Sequence, residues 1–376
     1  MQTKNRLDRC RGSLIGGAVG DALGYPVEFM SLNEILKHYG ERGITKYDLG
    51  DKGIAEFSDD TQMSLFTAEG LLSAIAAESY YEKEILPFIL TAYEHWRYTQ
   101  NCAAIKLKGS WLTHIKNLWS QRAPGNTCME ALNHIGMPNC QPVVNNSKGC
   151  GGIMRVAPIG IFSGSHPKLL QLDHAGYLAG YAAEITHKHP LSTYSSMVHA
   201  MIVADCMSYD KIDRDKFRFI VIERAFKLLG FRYNDEYFNQ LKALALKAFE
   251  FATSDISDFD AIRQLGEGWV AEETLAIALF SVMRYIDDFE KCVVCAVNHD
   301  GDSDSTGSVA GNIIGAILGY EVIPQKYRNN LELHDLLMSV AADLSGVSSP
   351  EEMKARYVKH QPYNVAPQYL LDDIQI

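Results

Sequence analysis

Residues 59–78 read DDTQMSLFTAEGLLSAIAAE. Two adjacent carboxylates and a threonine run without a break into Met63, Phe66, Leu71 and Ile75, near helical spacing, with alanines filling the turns. Short polar side chains at the head of an apolar-periodic run mark a helix start. The stretch therefore predicts a long helix that opens on its acids. Similar patterns recur at about 84–99, 166–186, 191–209, 235–252, 270–286 and 303–319. Strand signals are confined to 44–47 and 142–144, too few for a sheet. The chain reads as all-α, one domain over residues 1–376. The polar stretch SYDKIDRDK at 208–216 reads as a loop. The motif-poor stretch 210–267 is a candidate insertion, and 346–376 a C-terminal extension.

The 376 residues carry 46 Asp and Glu against 35 Lys and Arg, a formal net charge of −11. With no cluster of cations, nucleic acid and anionic membrane are poor partners. A small phosphate-bearing ligand stays open, because backbone N–H groups hold phosphate without net positive charge. No apolar run approaches the roughly 20 residues of a membrane span. The start MQTKNRLDRC has no apolar core of a secretion signal. Eight cysteines in a chain of this length predict reduced thiols and a cytoplasmic protein. Cys292 and Cys295 form a CxxC within EKCVVCAVNH, which reads as a buried helix without a second pair to complete a zinc site.

Glycine concentrates at 12–24, 149–152, 266–268 and 301–319. Each glycine inside a helix costs about 1 kcal/mol relative to alanine, so repetition suggests close backbone approach. Gly12, Gly16, Gly20 and Gly24 share one helix face, which reads as tight helix packing. No GxGxxG follows a strand and no GKS or GKT occurs, so neither dinucleotide nor P-loop signature is present.

A second acidic cluster, Gly301-Asp302-Ser303-Asp304-Ser305-Thr306-Gly307, also precedes a helical pattern. Ser58 or Asp59, and Asp302 or Ser303, could be plain N-caps. A cap needs one side chain, however, and each cluster carries two carboxylates, whose crowding is unfavourable without a cation. Four carboxylates with hydroxyls and no His or Cys suit Mg²⁺ or Mn²⁺ rather than Zn²⁺, and are enough for two ions. The clusters lie about 240 residues apart, and spacing alone does not bring them together. Glu28 follows the stop signals Gly24 and Pro26. The turn GCGGIMR at 149–155 offers N–H groups to a phosphate. In THKHP at 186–190 the two histidines do not share a helix face, which disfavours a His metal site.

SDDTQMSLFTAEGLL at 58–72, GDSDSTGSVAGNIIGAILG at 301–319 and GDALGYPVEF at 20–29 resemble the ADP-ribosylglycohydrolases, which remove ADP-ribose from modified proteins. RAPGNTC at 122–128, GCGGIMRVAPIGIF at 149–162, ITHKHP at 185–190 and GWVAEETLAIAL at 268–279 are similar to that family's segments in the same order. The likeness spans about residues 8–345. It implies a compact orthogonal all-α bundle with two Mg²⁺ or Mn²⁺ ions in a cleft. Ser58, Asp59 and Asp60 would form one ligand set, and Asp302, Asp304 and Ser305 the other. Glu28 would sit beside the metals or gate entry. Asp60 or Asp304 would orient or deprotonate a water. Gly151, Gly152, Ile153 and Met154 would hold the diphosphate, His187 would contact substrate near the ribose and phosphates, and Trp269 would shape the wall. The substrate would be an ADP-ribosylated protein or a small ADP-ribose derivative. An inactive binding or immunity protein and a two-metal phosphohydrolase are the competing readings. No Asp or Glu occurs between Arg97 and Met129, which tilts against a strict copy of the arginine-specific members.

Overall fold

The apolar periodicities close into helices. The computed structural model describes residues 3–101, 109–135 and 143–357 and contains no strand among them. In chain order the helices are α1 (Thr3–Gly24), α2 (Leu32–Tyr39), α3 (Asp59–Ala76), α4 (Glu82–Gln100), α5 (Asn126–Ile135), α6 (Ala157–Ser165), α7 (Leu172–Glu184), α8 (Pro190–Cys206) and α9 (Arg214–Phe219). After a π-helical stretch at Ile220–Phe226 come α10 (Lys227–Leu229), α11 (Glu236–Ala252), α12 (Asp258–Leu265), α13 (Ala271–Arg284), α14 (Phe289–Val297), α15 (Ser303–Leu318), α16 (Gln325–Arg328), α17 (His334–Ser345) and α18 (Pro350–Tyr357).

Helices α3, α8 and α15 are buried on nearly all sides, so they are interior elements rather than amphipathic surface ones. The glycine face of α1 sets the closest contact. A Cβ on Gly12, Gly16, Gly20 or Gly24 would lie 2.4, 2.4, 1.9 or 2.3 Å from the carbonyl oxygen of Gly315, Gly311, Gly307 or Ser303 respectively. The partner numbers fall as the α1 numbers rise, so α1 and α15 run antiparallel with their backbones nearly touching. Asn312 and Ser13 lock the register: each side chain donates to the other's backbone carbonyl, both at 2.9 Å. The consequence is positional, since the C-terminal end of α1 meets the N-terminal end of α15.

Several sequence expectations shift. The helix expected at 166–186 is α7, which begins only at Leu172 and ends at Glu184, after a non-helical stretch at 166–171. Pro167 supplies no N–H and disfavours helix in the residue before it, and α6 closes at Ser165. The strand candidate at 44–47 is irregular backbone, tied instead by side chains: Asn298 Oδ1 accepts from Ile44 N at 2.8 Å. Val143 and Val144 form no strand, and Pro142 lies outside the described residues. The chain beyond Tyr357 lies outside them too. The start of the extension folds back: α18 packs on α3, and Tyr357 donates to Asp343 at 2.7 Å. Within 210–267, α11 packs on α13 and α8. Cys292 and Cys295 are free thiols buried in α14. Among the described residues no helix is long and apolar enough to cross a membrane.

Candidate active site

Both acidic clusters sit at helix N-termini, and α1 brings them together. Its glycine face docks α15, as above. Its one charged side chain beyond Arg11, Asp21, docks α3. The buried Asp21 carboxylate accepts from Ser58 N at 2.7 Å, from Thr61 N at 3.0 Å and from the Thr61 hydroxyl. It thereby satisfies backbone donors that the first turn of α3 leaves without helical partners. Asp21 lies within the quoted GDALG but carries no role in the sequence reading. The available signal was a lone acid in the glycine-faced stretch of α1 beyond Arg11, which carries no other charge.

At α3, the buried Ser58 is the N-cap and accepts from Asp60 N at 3.2 Å. Asp59 N donates to the Arg122 carbonyl at 2.9 Å, and Asp59 Oδ2 accepts from Gly125 N at 3.2 Å. The RAPGNTC loop is thus fastened to the first cluster. At α15, Asp302 is itself the cap: Oδ1 accepts from Ser305 N at 3.2 Å, and its own N–H donates to the Glu267 carbonyl at 2.8 Å. Asp304 also accepts from Ser305 N, at 2.8 Å. Glu28, Asp302 and Asp304 place carboxylate oxygens within 4.8 Å of one another. Glu28 Oε2 and Asp60 Oδ2 are buried and have no hydrogen-bond partner.

Burial, then the neighbouring Asp302 and Asp59, push the Glu28 carboxyl up to about 9. Burial raises Asp59 to about 8, with Asp21 and Asp302 adding to it. Asp60 and Asp304 lie well above the usual carboxylate range, through burial and their acidic neighbours. Two helix N-termini offset part of this repulsion. Orphaned oxygens in an all-oxygen donor set fit a hard divalent cation, which would reverse the cost of the crowding.

The acids floor a cavity of about 330 Å³. Gly149, Cys150, Gly151, Met154 and His187 line it as well. Glu28, Asp59, Asp60, Asp302, Asp304 and Ser305 all reach it; Ser58 is buried beneath its wall as a cap. Gly152 and Ile153 lie behind the surface. A Cβ on Gly152 would come within 2.5 Å of Ser192 Oγ, and the Ile153 carbonyl faces His199 Nδ1 at 3.2 Å. The N–H groups of Ile153 and Met154 both return to the Cys150 carbonyl, at 2.9 and 3.1 Å. Of the four residues expected at a diphosphate seat, Gly151 and Met154 face the cavity. His187 packs on Gly151, where a Cβ would come within 2.7 Å of its ring. Burial and the nearby Arg155 hold the His187 imidazole neutral, down to about 3. Trp269, 38% exposed, stacks on Phe29, 75% exposed, with ring centroids 5.8 Å apart; the sequence reading missed Phe29. Cavities of about 310 and 370 Å³ elsewhere do not adjoin the acidic cluster.

The chain is similar to curated proteins along most of its length. ADP-ribosyl-[dinitrogen reductase] glycohydrolase of Rhodospirillum rubrum is 27% identical over 338 residues, covering 87% of this chain and 91% of that one. ADP-ribosylarginine hydrolase Tri1 of Serratia proteamaculans is 25% identical over 361 residues, covering 92% and 81%. A solved structure described as an ADP-ribosylglycohydrolase-related protein complex shares the fold, with a TM-score of 0.53, 23% identity, and coverage of 92% of this chain and 100% of that one. The ADP-ribosylglycohydrolase family model matches residues 2–352. With that match across nearly the whole chain, and an acidic cavity at the junction of α1, α3 and α15, the protein belongs to the ADP-ribosylglycohydrolases, hydrolases that act on ADP-ribose glycosidic bonds.

Proposed function

We propose that the protein is a metal-dependent hydrolase that releases ADP-ribosyl groups from protein side chains or from small ADP-ribose derivatives, using two Mg²⁺ or Mn²⁺ ions. The observation that carries the reading is the pair of buried, unpartnered oxygens, Glu28 Oε2 and Asp60 Oδ2, beside Asp59, Asp302 and Asp304. Asp59, Asp60, Asp302, Asp304 and the Ser305 hydroxyl would hold the ions, with Ser58 completing the set through its remaining lone pair. Such ions acidify water and stabilise developing negative charge. Asp60 or Asp304 takes the proton from the attacking water, and Glu28, buried beside Asp302 and Asp304, would contact the ions. The Gly151 N–H group and the neutral His187 ring hold the diphosphate end by hydrogen bonds rather than by charge. Phe29 and Trp269 shield the bond that breaks, which does so with oxocarbenium character, as in glycosidases. The chain works as one domain, and α9–α12 contribute to the same connected apolar core as α1, α3 and α15, which supports this.

The test replaces Asp302 and Asp304 together with alanine and measures Mn²⁺ binding calorimetrically beside release of ADP-ribose from modified protein. Loss of both is expected. Full metal affinity with full activity would falsify the assignment, and phosphate release alone by the unaltered chain would point to a phosphohydrolase.

A further inference from the structure

Cys150 is unusual among the described cysteines: the other five are buried, while Cys150 is a partly exposed residue on the cavity wall. Its backbone is fixed on both sides. Cys150 N donates to the Trp269 carbonyl at 3.1 Å, Ala271 N donates to the Lys148 carbonyl at 2.8 Å, and Gly149 pairs antiparallel with Val270. The carbonyl of Cys150 closes the following turn by accepting from Ile153 and Met154. The side chain then has little freedom, and its Sγ donates to Asp302 Oδ2 at 2.8 Å.

The other Asp302 oxygen, Oδ1, accepts from Ser305 N. Both oxygens are therefore held by donors on different elements, one on the first turn of α15 and one on the turn at 150–152. A carboxylate held at both oxygens cannot rotate about its terminal torsion, and its remaining lone pairs keep one direction. Outer partners of this kind orient metal-binding carboxylates, and their loss typically weakens metal binding about 10–100-fold. We infer that Cys150 is a positioning residue for the second ligand cluster: its S–H donates to Asp302 and aims that carboxylate at the cation, tying the turn beside the diphosphate end of the cavity to the metal end. This inference rests on the metal reading proposed above. A thiol suits the place because sulfur bridges the gap from a short side chain on a fixed turn; a serine hydroxyl keeps the donor with slightly less reach.

The experiment measures Mn²⁺ affinity by calorimetry for the unaltered chain, Cys150→Ser and Cys150→Ala, with melting temperatures in chelator. Cys150→Ala is expected to bind about tenfold more weakly, Cys150→Ser to stay within about threefold, and both to melt in chelator as the parent does. Equal affinity for all three overturns the inference, as does equal loss in both variants. Should Cys150→Ala not fold, reversible methylthiolation of the folded parent removes the same S–H. Mn²⁺ affinity should then drop and return with dithiothreitol, while Cys150→Ser given the same treatment should not change; an unchanged parent overturns the inference. A parent chain that binds no divalent cation refutes the underlying metal reading instead, so the two failures are distinct.

Discussion

The N-termini of α3 and α15 face one cavity with the same chemistry and are built differently. At α3 the structural work is kept off the carboxylates proposed as ligands. Ser58 caps, Asp21 from α1 takes the backbone donors of Ser58 and Thr61, and Asp60 keeps a bare buried oxygen. At α15 one residue does both, since Asp302 caps the helix and offers its carboxylate to the cavity. Where other residues hold the helix start, a proposed carboxylate ligand could change without loosening the helix. Where cap and proposed ligand coincide, metal binding and fold would be coupled.

The largest expected effect tests what the two ends share. Asp60→Asn and Asp304→Asn should each lower hydrolysis of ADP-ribosylated protein by about 10³-fold or more, the scale of losing a main electrostatic contributor. A drop below tenfold in both would show that the cluster is not the reactive centre. Next comes the support beneath α3. Asp21→Ala strands buried donors at Ser58 and Thr61, at about 1–3 kcal/mol each, so urea unfolding should report a loss of about 2–5 kcal/mol. Stability equal to the parent would remove Asp21 from its supporting role.

The contrast itself is sharpest in chelator. Asp302→Ala should cost about 1 kcal/mol there, the worth of a lost cap. Asp60→Asn should instead melt higher than the parent at pH 8. The Asp60 carboxyl is raised in the folded state, so both states are neutral at low pH, and the folded state loses ground as pH rises from the unfolded value toward the folded one, because the unfolded chain ionises first. An amide removes that loss. If both variants melt lower by the same amount, the division of labour at α3 is wrong.

The smallest effect compares Asp60 with another acid of the same helix. Glu69 is also buried, yet it is answered by donors: the Ser110 hydroxyl at 2.7 Å and Leu112 N at 3.2 Å. Burial nonetheless raises it to about 7 from an unfolded value of 4.5. Its contribution to stability is complete below about pH 4.5 and declines as pH rises to about 7, because the unfolded chain releases the proton first. Glu69→Gln should flatten the fall of melting temperature across that window without changing Mn²⁺ affinity. An unchanged slope would show that Glu69 does not titrate there.

What was legible in the sequence follows the range of the forces involved. Helix starts at Asp59 and Ser303 were readable because caps and periodicity act over a few residues. The start of α7 reads from the sequence as 166 rather than Leu172 because Leu169 and Leu170 extend the apolar pattern ahead of the helix. Glu28 and the two acid clusters could be named as candidates from composition alone. Asp21 could not, because a carboxylate that bonds backbone donors some 40 positions away looks like any polar residue in a helix. The role of Cys150 was hidden likewise: its partner lies 152 residues on.

By itself the sequence determined an all-α chain, two acid-headed helices and a glycine face with nothing yet against it. Only the tertiary structure decided that this face meets the glycines of α15 in antiparallel register, and that Asp21 draws α3 to the same end of α1. The physical reason is that helix formation is settled among near neighbours, whereas a polar pocket needs carboxylates from distant segments to be forced together. Backbone contact at Gly20 and Gly307, with no side chain between, brings the second cluster to the end of α1 where the first is held.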